Sequence, residues 1–147
     1  MAFQAIGAGQ NRAMAPIRPN RPRVLLVDDD ARLVHIVGLY LQVQQFEVLT
    51  AESGEEAMRL LNAGLPDLVI LDLMMPGLDG ISLCRRIRSL PGGDVLPVIV
   101  FTALSDGKEH DAAREAGANR VITKPFNLTG LGAAVEALLP NVAAASA

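Results

Sequence analysis

The alternation of five short apolar runs with segments of helical spacing constrains the fold of this chain more than any other feature. Each run is rich in Val, Ile and Leu and is continuous or nearly continuous in apolar residues. Strands of a parallel sheet that is covered on both faces show this pattern, whereas half-exposed strands alternate apolar and polar residues. The five runs span residues 23–27, 46–50, 68–71, 97–102 and 119–123.

The segments that follow the runs carry apolar residues three and four positions apart, which predicts amphipathic helices. Ser53, followed by Glu56, and Asp79 stand where they can cap the second and third helices, and Gly64 and Gly117 stand where helices end. The order predicts an α/β fold of (βα)5 type, a doubly wound five-stranded parallel sheet. The apolar helical positions are Leu33, Ile36, Val37, Tyr40; Ala57, Leu60, Leu61; Ile81, Cys84, Ile87; Ala112, Ala113, Ala116; and Leu128, Leu131, Val135, Leu138.

Composition excludes several classes of function. The net charge of −3 is unlike the basic excess of a nucleic-acid-binding domain, and one Tyr, four Phe and no Trp leave few rings to stack on bases. A single cysteine, Cys84, excludes an internal disulfide, and its position between Ile81 and Ile87 predicts core packing. The apolar runs are too short to span a membrane and no secretory signal opens the chain. We therefore expect a cytoplasmic protein.

Both ends of the chain lack a hydrophobic period. Residues 1–22 mix Gly, Gln, Asn, Pro and Arg, and such a segment buries too little apolar surface to offset its ordering entropy. We expect a disordered tail or linker over residues 1–22, one domain over residues 23–139 and a short tail over residues 140–147.

Chemically active residues follow the predicted strands. Asp28 and Asp29 end the first run, Asp72 ends the third, Thr102 ends the fourth and Lys124 follows the fifth. In open parallel sheets the ligand site lies beyond the carboxyl ends of the strands, near the point where the strand order reverses. These five residues are therefore expected at one rim. The neighbouring Asp30 is better placed as the N-cap of the first helix.

A cluster of carboxylates at this rim requires a cation. Two carboxylates about 5 Å apart repel each other by roughly 3 kcal/mol at an effective dielectric constant of about 20, so the cluster takes up protons unless a metal joins it. An all-oxygen, water-accessible donor set favours a hard ion that keeps several waters, which describes Mg²⁺ better than Zn²⁺. We therefore predict Mg²⁺ as the cofactor.

Four strings of the sequence together resemble the receiver domains of two-component response regulators. They are VLLVDDD at 24–30, LDLMMPGLDG at 71–80, FTA at 101–103 and TKPF at 123–126, in the family's order and spacing. The resemblance covers about residues 23–139 and implies a flavodoxin-like receiver fold. It also implies a phosphoprotein of a two-component phosphorelay rather than an enzyme, apart from promoting its own phosphorylation and slow dephosphorylation.

The resemblance implies a role for each matching residue. Asp72 corresponds to the phosphoacceptor, which receives a phosphoryl group from a sensor histidine kinase or a histidine phosphotransfer protein. Asp29, Asp72 and the backbone carbonyl of Met74 correspond to direct Mg²⁺ ligands, and Asp28 to the residue that holds a metal-bound water. Thr102 and Lys124 correspond to the groups that contact the phosphoryl oxygens.

Other positions matching the family are expected to read out the phosphoryl group or to affect its lifetime. The Ala103 amide corresponds to a donor to the phosphoryl group, and Pro125 to a cis-proline after Lys124. Many receivers carry an aromatic switch residue where this chain has Val121, so we expect coupling through helix movement instead. Met74 and Leu104 flank the site and hydrogen-bond a hydrolytic water poorly, which predicts slow self-dephosphorylation.

Partners and alternatives stay open at this stage. The first helix is apolar almost all round, with Val34, Leu39 and Leu41 beyond its sheet-facing side, and we predict kinase docking there. A homodimer formed on phosphorylation stays open, although Asn119 and Arg120 replace the acidic pair that some relatives use for dimerisation. Direct nucleic-acid binding and membrane association are not expected. The alternatives to a stand-alone receiver are a piece of a larger regulator or hybrid kinase and a magnesium-dependent phosphohydrolase, which usually has an acid where Met74 stands.

Overall fold

The computed structural model describes residues 21–103 and 107–139 and contains five strands and five helices in strict alternation within these ranges. The predicted (βα)5 order is confirmed, and every strand begins and ends within one residue of its predicted bounds. The elements are β1 (Arg23–Val27), α1 (Ala31–Val43), β2 (Glu47–Ala51), α2 (Gly54–Ala63), β3 (Leu68–Asp72), α3 (Gly80–Ser89), β4 (Val98–Thr102), α4 (Gly107–Glu115), β5 (Arg120–Thr123) and α5 (Leu128–Leu138).

The strands form one parallel sheet in the order β2-β1-β3-β4-β5. The chain first moves outward from β1 to β2 and then returns across β1 to β3, so the order reverses between β1 and β3. The loops after these two strands therefore part at their carboxyl ends and leave a crevice there. This crevice lies between Asp28 and Asp72.

Each face of the sheet buries its own core cluster. The first core cluster lies beneath α2, α3 and α4, and the second lies beneath α1 and α5. Successive strand residues alternate between them: Leu25 and Val27 join the first cluster, while Val24 and Leu26 join the second. β3 and β4 are buried along their whole length. Burying one such side chain contributes about 2 kcal/mol, so the two clusters hold the site-bearing strands rigidly.

Polar caps start three of the helices at the predicted residues. The Asp30 carboxylate accepts from the backbone N–H groups of Arg32 and Leu33, and the Asp79 carboxylate accepts from Ser82 N–H at 2.8 Å. Ser53 Oγ accepts from Glu56 N–H at 3.1 Å. The capping box predicted for α2 is only half formed, because the Glu56 carboxylate accepts from the N–H of residue 52 instead of that of Ser53.

The predicted faces of α1 were wrong at two positions. Ile36 was expected to face the sheet but is 55% exposed, and Leu41 was expected on the outer side but is fully buried beside Val37. Because α1 is apolar on nearly every side, its sequence period does not select one face. Packing against α5 and the sheet selects it instead.

The predicted tails lie mostly outside the described residues, at 1–20 and 140–147. Arg21 and Pro22 are described, and they pack against the start of β2. The Pro22 carbonyl accepts from Glu47 N–H at 2.8 Å, and Arg21 Nη2 donates to Gln45 Oε1 at 3.2 Å. Within residues 21–103 and 107–139, no helix is long and apolar enough to cross a membrane.

Candidate functional site

Three carboxylates meet in the crevice between β1 and β3. Asp28 directly follows β1, Asp29 comes next, and Asp72 is the last residue of β3. One oxygen atom from each lies within 4.8 Å of the others. Asp28 and Asp72 are buried, with exposures of 0% and 5%, whereas Asp29 is exposed to solvent. Two of the three oxygens, from Asp28 and Asp72, are therefore shielded from solvent, and the third, from Asp29, is on the solvent side of the crevice.

Lys124 supplies a positive charge to this cluster. Its Nζ atom lies 3.1 Å from Asp28 Oδ2 and 3.5 Å from Asp72 Oδ1. The ammonium also lies 5.9 Å from the centre of the Phe101 ring, which stacks on Phe126 at 4.5 Å. The peptide bond between Lys124 and Pro125 is cis. Lys124 therefore bridges the ends of β1 and β3 from the loop after β5.

The ionised form of Asp72 is unfavourable in the crevice, because the carboxylate is buried beside a second carboxylate. Burial and the neighbouring Asp28 charge raise the pKa of Asp72 above its ordinary value, and Lys124 together with the Met74 N–H opposes this increase. One ammonium thus compensates only part of the negative charge. A divalent cation placed among the three carboxylates would lower the pKa of Asp72 and keep it ionised, so the donor set fits such an ion.

The hydrogen bonds at the rim leave one side of Asp72 open. Asp28 Oδ1 accepts from Asp30 N–H at 2.9 Å and its Oδ2 faces Lys124, so both of its oxygens are engaged. The described contacts of Asp72, with Lys124 and with Met74 N–H at 3.5 Å, both fall on Oδ1. Its Oδ2 is therefore the oxygen best placed for an incoming group.

The fourth strand brings Thr102 to the same rim. Asp72 pairs with Phe101 in register, so Thr102 lies one position beyond the end of β3 and is fully buried. The Thr102 carbonyl accepts from Lys124 N–H at 2.7 Å, which ties the threonine to the lysine loop. Ala103 follows it and is exposed.

The remaining predicted positions lie around this rim. The Met74 side chain is 60% exposed beside Asp72, and Val121 is partly buried against the first core cluster. Leu104 lies outside the described residues. The structure therefore brings the predicted acids, the threonine and the lysine together, and it places Val121 on β5 away from the carboxylates.

Sequence reasoning missed the residues that hold the loop between β3 and α3. Glu55, in the first turn of α2, accepts from Leu78 N–H at 3.2 Å, and a side chain at Gly77 would meet the same carboxylate. A Cβ atom at Gly80 would lie 2.5 Å from the Asp72 carbonyl oxygen, so only glycine lets α3 start this close to the acceptor. The Asp-Gly pair at 79–80 could have indicated a glycine required at the start of α3. For Glu55, the sequence shows only an acidic residue in the first turn of α2, which does not predict its bond to Leu78.

Comparison with known proteins assigns this chain to one class of protein. The sequence profile of the response regulator receiver domain matches residues 24–136. This chain belongs to the response regulator receiver domain family. The resemblance seen in its four strings is thereby confirmed, and the phosphohydrolase alternative loses its support.

Particular relatives support the same assignment. The response regulator MprA of Mycolicibacterium vanbaalenii is 42% identical over 117 residues, covering 80% of this chain and 50% of that protein. The phosphate regulon transcriptional regulatory protein PhoB of Rhizobium meliloti is 40% identical over 118 residues, covering 80% and 52%. The signal receiver domain of a signal transduction histidine kinase from Syntrophus aciditrophicus superposes with a TM-score of 0.76 at 34% identity, covering 82% of this chain and 92% of that one. The chain spans about half the length of the curated relatives.

Proposed function

We propose that this receiver domain accepts a phosphoryl group on Asp72 from a sensor histidine kinase or a histidine phosphotransfer protein, in a phosphorelay that needs Mg²⁺. The observation that carries the proposal is the setting of the Asp72 carboxylate. It is buried at the end of β3, near two further carboxylates and 3.5 Å from an ammonium. The domain promotes only its own phosphorylation and dephosphorylation, so it has no other substrate in this scheme.

The acidic crevice would hold Mg²⁺ through oxygen ligands of this chain. Asp29, Asp72 and the Met74 carbonyl are the proposed direct ligands, and Asp28 would orient a metal-bound water. The exposed position of Asp29 suits an ion that keeps several waters, as Mg²⁺ does. When bound, Mg²⁺ neutralises phosphoryl oxygens and keeps Asp72 ionised.

Phosphoryl transfer would follow from the position of Asp72. An oxygen of its carboxylate forms a bond to phosphorus while the phosphorus–nitrogen bond of the donor's phosphohistidine breaks. The electron pair of that bond stays with the imidazole nitrogen of the donor. Lys124, now between Asp28 and Asp72, would turn its charge to a phosphoryl oxygen.

Two groups beside the acceptor would detect the product. The phosphoryl group adds a charge of about −1.5 to −2 and three strong acceptor oxygens. The buried Thr102 hydroxyl at the end of β4 and the amide of the next residue, Ala103, are the proposed donors to them. Because the Thr102 carbonyl is bonded to Lys124, the carboxyl ends of β4 and β5 would respond together.

Docking of the phosphodonor is proposed on α1. Ile36, Leu39 and Val43 are 55%, 50% and 71% exposed and are three and four residues apart. They therefore form an apolar stripe on the outer side of the helix that follows Asp28 and Asp29. A helical partner surface can pack along such a stripe while its histidine reaches the crevice.

The larger setting of the domain is also a proposal. A stand-alone receiver that signals by protein contacts and a receiver within a longer regulator or hybrid kinase both agree with the family. Sequencing the reading frame on both sides of this chain distinguishes them. In either setting we propose a cytoplasmic domain without its own nucleic-acid contacts. A homodimer formed on phosphorylation is the alternative to a monomer, and the association state with and without phosphorylation distinguishes the two.

Chemical phosphorylation tests the proposal directly. Wild-type protein is incubated with acetyl phosphate, with Mg²⁺ or with EDTA, and its intact mass is measured. We expect the wild-type mass to increase by one phosphoryl group in the presence of Mg²⁺ but not in EDTA, and the mass of Asp72→Asn to stay unchanged in both. Asp30→Asn is the matched control, because asparagine caps a helix as well as aspartate does. Magnesium-independent labelling, or labelling of Asp72→Asn equal to wild type, would refute the proposal.

A further inference from the structure

Helix α4 is attached to the sheet by very small side chains. Its apolar residues are Ala112 and Ala113, of which Ala113 is fully buried, and Ala116 follows the helix. An alanine methyl removes little apolar area from water, so these contacts fix the position of α4 weakly. His110 is the larger side chain of α4 with a described contact to the neighbouring strand.

That contact joins α4 to β5. His110 Nε2 lies 3.3 Å from Thr123 Oγ1, and the pair is partly buried. Either tautomer of a neutral imidazole satisfies it, since the hydroxyl both donates and accepts. The distance is at the long end for a hydrogen bond, so a small displacement of the strand end breaks it.

Thr123 connects this contact to the acidic rim. It pairs with Thr102 in register across β4 and β5, and it directly precedes Lys124, whose N–H donates to the Thr102 carbonyl. Val121 lies two positions earlier on the same face of β5, and its short, stiff side chain packs against the first core cluster together with Ala113. The residue that His110 contacts is therefore adjacent to both groups that would bind the phosphoryl oxygens.

We propose that His110 is the positioning residue that couples Asp72 to the position of α4. In the unmodified domain the His110–Thr123 contact holds α4 on β5. When Thr102 and Lys124 turn to a phosphoryl group, Thr123 moves with them, the contact weakens and α4 is released. This inference rests on the proposed function, because it assumes that Asp72 is the residue modified.

Hydrogen exchange of the α4 amides in the 147-residue chain, with Mg²⁺ and with or without beryllofluoride, tests the coupling. In wild type we expect the exchange rate of the α4 amides to rise about fivefold when beryllofluoride binds. Loss of one typical hydrogen bond changes the opening equilibrium by about this factor. In Thr123→Val and His110→Leu we expect the higher rate before beryllofluoride is added, and no further rise afterwards. His110→Gln keeps a polar group of similar reach and should restore part of the response.

The control is the other histidine of the chain. His35 is exposed on α1, so His35→Leu should keep the full wild-type response. Fluorine signals of beryllofluoride bound to the protein report the proposed function separately, and we expect them in every variant. Thr123→Val replaces a hydroxyl by a methyl of similar size, so it decides the question even where His110→Leu does not fold.

If Thr123→Val accelerated exchange of the α4 amides equally with and without beryllofluoride, the proposal would be overturned, because the contact would then be purely structural. A wild-type response that survives both substitutions would also overturn it. Absence of bound beryllofluoride in wild type would instead contradict the proposed function.

Discussion

At the scale of single residues, the acidic rim is governed by an imbalance of charge. Two buried carboxylates, Asp28 and Asp72, share the ammonium of Lys124, while Asp29 adds a third negative charge on the open side. Folding therefore places Asp72 where its ionised form is disfavoured until a cation binds among the carboxylates.

Asp72→Asn should stabilise the metal-free domain at neutral pH. The folded-state pKa of Asp72 is raised, so the folded protein binds its proton more tightly than the unfolded chain does. Stability from this group is thus present below the unfolded pKa and is lost as pH rises through the folded pKa. Urea unfolding in EDTA at several pH values should show a gain for Asp72→Asn at pH 7 that disappears in acid. A loss of stability at pH 7 would contradict the imbalance.

Met74 should make the phosphoryl group long-lived. Its side chain is 60% exposed beside Asp72 and has no strong donor or acceptor to orient a hydrolytic water. Met74→Asn should therefore shorten the lifetime of the phosphorylated protein by about tenfold, a modest effect for positioning a water. Met74→Leu, which keeps the bulk without a polar group, should leave it unchanged. Loss of label from wild type within seconds would disprove slow dephosphorylation.

At the scale of elements, the helices differ in how they are attached. α3 is anchored at its carboxyl end by Arg88, and α4 is attached by alanines and His110. In the described part of the chain, four helix starts are capped by side chains, at Asp30, Ser53, Asp79 and Asn127. Capped elements thus surround the carboxylates, while α4, whose buried side chain is an alanine, is the element that we propose to move in response to them.

Arg88 should be the largest single polar contribution to stability at the end of the sheet opposite the crevice. Its guanidinium donates to the carbonyls of Gly93, Leu96 and Gly117 and to Asn119 Oδ1. Lysine cannot reproduce this planar set of donors, so Arg88→Lys should lower the free energy of unfolding by about 2 kcal/mol. Arg86→Lys on the exposed side of α3 should change it by less than about 0.5 kcal/mol. Equal effects in urea unfolding would contradict this role.

The apolar stripe of α1 should matter for transfer from a protein donor alone. Leu39→Glu places a charge in the middle of the stripe and should slow phosphotransfer from the cognate kinase by about tenfold, as loss of a central interface contact does. Val95→Glu is the matched control, because Val95 is 78% exposed in the loop before β4. Labelling by acetyl phosphate should be equal in both variants. Normal transfer to Leu39→Glu would exclude docking on α1.

At the scale of the whole molecule, the crevice, both core clusters and the lysine loop form one cooperative unit. A ligand that binds only the folded state stabilises the whole domain by mass action. Mg²⁺ at about ten times its Kd should therefore raise the free energy of unfolding by about 1.4 kcal/mol. Asp72→Asn should weaken this effect, and EDTA-treated protein is the reference in thermal unfolding. Equal stabilisation of both proteins would place the ion elsewhere.

The sequence by itself determined the order of elements and the chemistry of the rim. Continuous apolar runs predict strands covered on both faces, and the polar residues that end them are chemically conspicuous. The sequence alone therefore predicted that Asp28, Asp29, Asp72, Thr102 and Lys124 lie at one rim, and the structure brings them together there. Caps such as Asp30 and Asp79 were predictable because they act within a few residues of the chain.

Only the tertiary structure decided which surfaces meet. In a helix such as α1, which is apolar on nearly every side, the hydrophobic period agrees with several buried faces. The exposure of Ile36 and the burial of Leu41 therefore depend on which elements pack against the helix. The Glu55 bond to the loop after β3 and the His110 contact with Thr123 join residues from different elements, and no local pattern marks such pairs. Local backbone preferences and hydrophobic period depend on residues that are close in sequence, so they can be predicted from it. Contacts between distant residues depend on how the helices and strands pack against one another.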